Sequence, residues 1–198
     1  YGITYAGGNF SCAIAGCGTV FKIGREGFQT LVHAFGGPDG QSPNAGLVID
    51  ASGNVYGTTA YGGAYGWGTV FKVTATGQES VEYSFDGDAN GGYPDGGLYQ
   101  DAEGNLYGST FQGGAYNLGT IFKITALGQF EVLYSFPGGG SGANPYADLK
   151  LDQQGNIYGT TYSGGSHNFG TIFKLDVSGN ETVLHSFALE RDGVHPSG

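Results

Sequence analysis

Short stretches of alternating apolar and polar residues recur along the chain in a fixed order, each bounded by glycine, asparagine, aspartate or proline. Four such stretches follow one another: Leu47 to Asp50, Val55 to Ala60, Thr69 to Thr74 and Ser80 to Phe85. Their length and period predict β-strands. In the fourth, Leu31, Val81, Val132 and Val183 are followed two residues on by His33, Tyr83, Tyr134 and His185, and two further on by Phe35, Phe85, Phe136 and Phe187. Period two predicts one common face for these twelve side chains. Asp-x-x-Gly-Asn between the first and second stretches predicts a tight hairpin turn, its carboxylate accepting backbone N–H groups and its glycine taking positive φ.

The pattern is a tandem repeat. Tyr-Gly stands at Tyr1, Tyr56, Tyr107 and Tyr158, spaced by 55, 51 and 51 residues. Six residues after each tyrosine comes a Gly-Gly pair, at Gly7, Gly62, Gly113 and Gly164, then Gly-Thr-Val/Ile-Phe-Lys ending at Lys22, Lys72, Lys123 and Lys174. Pro43, Pro94, Pro145 and Pro196 keep the same phase. The sequence therefore divides into four units, 1–55, 56–106, 107–157 and 158–198. The first carries an insertion between its Gly-Gly and Gly-Thr marks, bracketed by Cys12 and Cys17. These two cysteines have neither redox nor zinc spacing and are expected to form a local disulfide. Such a bridge implies an oxidising compartment outside the cytoplasm. The fourth unit stops one strand and its turn short of the next Tyr-Gly, and the chain opens without methionine. The expectation is an excerpt of a longer array, or a set of sheets completed by a neighbouring chain.

Four antiparallel strands in about 51 residues match the size of a propeller blade, between the roughly 42 residues of WD and 50 of kelch repeats. The expected fold is all-β, a β-propeller-like array of four-stranded blades, with a β-solenoid as the alternative. Forty-one glycines and 12% charged residues agree with it, because glycine at this density opposes helix and both faces of a blade pack on neighbours. A formal charge of −10 excludes nucleic acid as a partner, and no apolar run reaches the roughly 18 residues of a membrane span.

The phased unit Tyr-Gly-Thr-Thr, Gly-Gly, Gly-Thr-Val/Ile-Phe-Lys, Ser-Phe, Pro, Gly-Leu, Asp-x-x-Gly-Asn closely resembles the GloVer tandem repeat of secreted bacterial proteins. The resemblance implies export, surface attachment and a repeat scaffold. It carries no catalytic residues, and the cysteine insertion departs from its pattern.

Chemistry is sparse. The phased lysines are expected to lie on neighbouring aromatics and pair with Asp50, Asp101 and Asp152, the competing idea being a cationic ring for an acidic glycan. Asp86, Asp88 and Asn90 begin like a calcium loop but lack its closing glutamate, so a solvated turn is expected and no cofactor is required, calcium being the one candidate. His33 and His185 are expected to fill the tyrosine slot of Tyr83 and Tyr134. Tyr65, Tyr116 and His167 occupy one position in three units, with Trp67 two residues after Tyr65, and a shared rim of such rings would suit sugars or another chain.

Three functions follow as expectations. The first is a non-catalytic, exported scaffold at the cell surface or in an extracellular filament or layer, whose copies associate by strand pairing across an incomplete blade. The second is a carbohydrate-binding propeller using Tyr65, Trp67, Tyr116 and His167. The third is a propeller lyase or hydrolase acting at the central mouth, which would need convergent ionisable groups there.

Overall fold

The computed structural model describes residues 1–12, 15–189 and 192–196. It contains four antiparallel sheets and, among these residues, one short 3-10 turn, Gly139–Ser141. The first sheet is β1 (Gly2–Thr4), β2 (Thr19–Ile23) and β3 (Gln29–Ala34). The second runs β4 (Val48–Ile49), β5 (Val55–Thr59), β6 (Thr69–Val73) and β7 (Glu79–Ser84), in that spatial order. The third repeats it with β8 (Tyr99–Gln100), β9 (Leu106–Thr110), β10 (Thr120–Ile124) and β11 (Phe130–Ser135). The fourth has β12 (Ala143–Pro145), β13 (Lys150–Leu151), β14 (Ile157–Ser163), β15 (Thr171–Leu175) and β16 (Glu181–Ser186), with β12 and β13 both pairing with β14. Every strand pair within the sheets is antiparallel. This is the predicted propeller-like architecture. The short first strand pairs with the Tyr-Gly strand that follows it, so the three-stranded sheet is the first one, whereas the sequence pointed to the fourth unit as the incomplete one.

The phased marks have local physical causes. Gly57 lies opposite Phe71 on the neighbouring strand, and a Cβ there would stand 2.7 Å from the Phe71 ring and 2.8 Å from Leu47. The glycine of Tyr-Gly is thus required by close packing. Threonine hydroxyls pair across the same two strands at 2.8–2.9 Å, Thr59 with Thr69, Thr110 with Thr120 and Thr161 with Thr171, all fully buried. The Asp turn forms as expected: Asp50 accepts the backbone N–H groups of Ser52 and Asn54 at 2.9 and 2.8 Å and the Asn54 amide at 2.8 Å.

One expectation fails. All four sheets carry a register shift at the same place, between Val20 and Phe21, Val70 and Phe71, Ile121 and Phe122, and Ile172 and Phe173. Phe21 faces Leu31 and Val20 faces His33 across the strands, with Val32 as the extra residue. Val20 and Phe21 point to opposite faces, so Leu31 and His33 do too: a β-bulge breaks the simple period-two reading. Leu31 is accordingly 58% exposed while Phe35 is fully buried.

The sheets stack face to face, and the core is the set of joints between them. At the first joint Val20 and Phe35 meet Val55, Phe71 and Val73. At the second Val70 and Phe85 meet Leu106, Phe122 and Ile124, and at the third Ile121 and Phe136 meet Ile157, Phe173 and Leu175. The same edge-to-face phenylalanine pair recurs at each joint, Phe35–Phe71, Phe85–Phe122 and Phe136–Phe173, with centroids 5.0, 5.2 and 5.2 Å apart. Such pairs add about 0.5–1.5 kcal/mol beyond the area they bury.

Candidate functional site

Tyr65 and Tyr116 are 65% and 60% exposed, and His167 is exposed in the same position of the fourth unit, its Nδ1 2.9 Å from the Ser166 hydroxyl. Trp67 turns away from them. Its ring centroid lies 4.7 Å from that of Tyr93 and it covers Gly87 and Gly92, where any Cβ would strike the indole. The structure therefore places the three tips on equivalent hairpin ends and sets Trp67 into the packing beneath. Asp86 closes its own loop, accepting the Asp88 backbone N–H at 3.1 Å and the Asn90 amide at 3.2 Å. Cys12 and Cys17 are disulfide-bonded.

Each phased lysine sits over the ring of its Tyr-Gly tyrosine, 5.5, 5.3, 5.3 and 5.9 Å from the centroids of Tyr1, Tyr56, Tyr107 and Tyr158. The tyrosine hydroxyls, rather than the lysines, reach the turn carboxylates: Tyr107 donates to Asp101 at 3.1 Å and Tyr158 to Asp152 at 3.0 Å. The hydrogen bond with Tyr56 pushes the Lys72 pKa up. His33 and His185 fill the tyrosine slot, edge-on to Phe35 and Phe187 as Tyr83 is to Phe85 and Tyr134 to Phe136.

Two further features were not read from the sequence. The first is a pair of open flanks. Phe21 and Ile23 occupy the places of Phe71 and Val73, and of Phe122 and Ile124, but lie on the outer face of the first sheet. Ile23 is 58% exposed, against 0% for Val73 and 2% for Ile124 and Leu175. On the outer face of the fourth sheet stand Ile172 and Phe187, both half-buried, and Leu184, 53% exposed; the counterparts of Ile172 and Phe187, which are Val20, Val70, Ile121, Phe35, Phe85 and Phe136, are fully buried. One flank presents the phenylalanine that a joint covers and the other the phenylalanine that does the covering. Nothing in the local sequence of Ile23 or Phe187 distinguishes them from their buried counterparts.

The second feature is a meeting of loops. The segments after Pro43, Pro94 and Pro145 converge: Asn44 donates its amide to Asp95 at 2.8 Å, and the Gly97 backbone N–H donates to Asp148 at 2.8 Å. A Cβ on Gly46 would come 3.9 Å from Asp148, so units one, two and three all touch here. A cavity of about 690 Å³ opens beside them, lined among others by Asn44, Asp95, Tyr146, Asp148, Lys150 and Tyr158. Burial pushes the Asp95 pKa up, against the Asn44 hydrogen bond. No helix among the described residues is long and apolar enough to cross a membrane.

Four like sheets stacked through a repeated phenylalanine joint define a propeller-like tandem-repeat protein. The family model of the Gloeobacter/Verrucomicrobia repeat matches residues 1–198, and the chain belongs to that family. Two solved structures share the fold. One, a protein of unknown function from Bacteroides thetaiotaomicron, is 17% identical with a TM-score of 0.61 over 92% of this chain and 48% of its own. The other, provisionally described as a gluconolactonase, is 16% identical with a TM-score of 0.52 over 85% of this chain and 56% of its own. The chain thus spans about half the length of these structures. No curated protein matches it.

Proposed function

We propose that the chain is a non-catalytic, exported repeat scaffold whose copies join head to tail, forming between chains the joint that already holds its own sheets together. The observation that carries this reading is the complementarity of the two open flanks. Ile172, Leu184 and Phe187 are one half of a joint and Phe21 and Ile23 the other, and the halves meet three times within the chain. A heterologous contact of this kind propagates into filaments or closes into rings. The edge of β1 that faces away from β2 supports it further, since the matching edges of β5, β9 and β14 each accept a short strand. The Cys12–Cys17 bridge supports an oxidising setting, at the cell surface or in an extracellular layer.

The test uses two variants, Phe187→Ser and Ile23→Asp, each of which spoils one flank. The wild-type chain should show concentration-dependent assembly by sedimentation velocity, and each variant alone should remain a monomer. Mixed, they should give a discrete 1:1 dimer, because one intact flank survives on each. A wild-type chain that stays monomeric at hundreds of micromolar overturns the reading, as does a mixture that does not dimerise.

A second reading is favoured by the cavity at the converging loops, where two carboxylates, a lysine and two tyrosines surround a ligand-sized space. It is a binding site for a polyhydroxylated ligand such as a carbohydrate, with Asp95 and Asp148 accepting hydroxyl hydrogen bonds. Calorimetric titration with oligosaccharides should then give heat that Asp95→Asn reduces at least tenfold in affinity. Binding unchanged by Asp95→Asn, or lost on trimming Tyr65 and Tyr116 instead, would move the site to the hairpin tips.

A further inference from the structure

The first joint differs from the others at one corner. His33 on β3, Asp39 in the loop after it and Glu79 at the start of β7 bring one donor atom each within 4.8 Å of the others. His33 Nε2 and Asp39 Oδ2 are 2.8 Å apart, and the other Asp39 oxygen accepts the Gly36 backbone N–H at 2.7 Å, so the loop holds the carboxylate in place. Glu79 crosses from the next sheet. Its Oε1 is sealed from solvent and receives no hydrogen bond. An orphaned buried carboxylate oxygen is costly, and it normally has a donor or a cation against it.

The corresponding corner of the second joint holds Tyr83, Asn90 and Phe130, with Tyr83 stacked on Phe130 at 3.8 Å. At the third joint Tyr134, Ser141 and Glu181 take these places, and Glu181 Oε1 is likewise sealed without a hydrogen-bond partner, so what sets the first joint apart is the imidazole beside a second carboxylate. Neither has the imidazole, so a blade joint of this type closes without a nitrogen ligand. Burial, and to a lesser degree the Asp39 and Glu82 carboxylates, push the Glu79 pKa up to about 7.

We propose that His33, Asp39 and Glu79 bind a divalent cation of the zinc class, which staples the first sheet to the second. One imidazole nitrogen with two carboxylate oxygens is the donor set of such ions; calcium and magnesium favour all-oxygen sites. Ligands at about 2.0–2.2 Å from a tetrahedral ion stand roughly 3.3–3.6 Å from one another, inside the spacing found here. The side chains of His33 and Asp39 are about a fifth and a quarter exposed, 19% and 24%, which leaves a path for the ion and for a water as fourth ligand. Binding places the metal where the His33 ring proton now lies against Asp39, so the neutral ring carries its proton on Nδ1 in the bound state.

The experiment is calorimetric titration of the full chain, without an affinity tag, with zinc chloride at pH 7.5, alongside thermal unfolding. One zinc per chain is expected, with Tm raised by about 5–10 °C at a zinc concentration 100 times Kd. His33→Tyr supplies the residue that units two and three carry, so the variant should fold; it and Glu79→Gln should each weaken binding at least tenfold and abolish the Tm gain. His185→Tyr, which alters the other histidine–aspartate pair, should change neither. Absence of stoichiometric zinc binding overturns the proposal, as does binding that survives both His33→Tyr and Glu79→Gln. Equal affinity for calcium overturns the zinc-class assignment. Assembly through the flanks plays no part in the measurement, which stands whether or not copies join.

Discussion

Phe122 and Phe21 occupy the same place in the repeat, follow the same bulge and precede the same lysine, yet one is fully buried and the other borders solvent. Ile124 and Ile23 make the same contrast, at 2% and 58% exposed. The difference lies in the neighbour. Within the chain, Phe85 covers Phe122; no described residue of a preceding sheet covers Phe21. In a solenoid or propeller array each unit contacts only the next, so stability resides in nearest-neighbour joints as much as in the units. The contrast separates what a joint buries from what a flank leaves exposed.

The largest predicted effect tests that separation directly. Phe122→Ala removes a ring packed against Phe85 and Phe130, with centroids at 5.2 and 5.6 Å. It should cost about 3–5 kcal/mol in urea unfolding, as large-to-small changes at fully buried aromatics do. Phe21→Ala, tested as a monomer, should cost no more than about 1 kcal/mol. Equal losses at the two positions would mean that the flank of the first sheet is already packed in solution. A smaller loss at Phe122 than at Phe21 would remove the joint from the account of stability altogether.

Glycine substitutions sharpen the same contrast. Gly57→Ala places a methyl group 2.7 Å from the ring of Phe71, itself held between sheets, and 2.8 Å from Leu47. Neither neighbour has room to retreat, so a loss of about 1–3 kcal/mol is expected from overpacking. Gly2→Ala meets Phe21 at 2.6 Å, an equally short approach. There the ring faces the open flank and can swing outward, so the loss should be less than half as large. Paired urea titrations of the two variants check this, and identical losses would show that the Phe21 ring is fixed.

Much of this was legible in the sequence because a tandem repeat prints its own alignment. The phase of Tyr-Gly, Gly-Gly and Asp-x-x-Gly-Asn gave the strands, the turns and the sheet count, and the insertion between Cys12 and Cys17 gave the bridge. The bulge was hidden, since a single extra residue such as Val32 leaves an alternating pattern intact on paper while it reverses the face of Leu31. The flanks were hidden too. Ile23 and Val73 look alike, and only the stacking order decides which one is covered. The His33–Asp39–Glu79 corner joins residues of two units, and the loops bearing Asn44, Asp95 and Asp148 join three; phase shows which residues are equivalent, and the stacking of sheets decides which of them touch.

The smallest effect should be indifferent to the contrast between joints and flanks. The Asn156 amide donates to Asp152 at 2.8 Å, and its backbone N–H and the Tyr158 hydroxyl add bonds at 2.9 and 3.0 Å; together they hold the Asp152 pKa down to about 2. Asp176, in the β15–β16 turn of the sheet with the open flank, is lowered by the backbone N–H and the amide of Asn180. An unfolded aspartate titrates near 3.9. A carboxylate whose folded pKa lies below that value contributes stability that is present above about pH 4 and is lost as pH falls toward the folded value. Asp152→Asn and Asp176→Asn should therefore each flatten the fall in urea midpoint between pH 4 and pH 2, and by similar amounts, because each turn is closed by its own residues. Glu79 works in the opposite sense: raised to about 7, it favours the folded state less and less as pH climbs from about 4.5, so Glu79→Gln should flatten only the neutral side of the profile in metal-free buffer. A response of Asp176→Asn that depended on protein concentration would show that the last sheet's turn senses the neighbouring copy, and the independence of turn and flank would be lost.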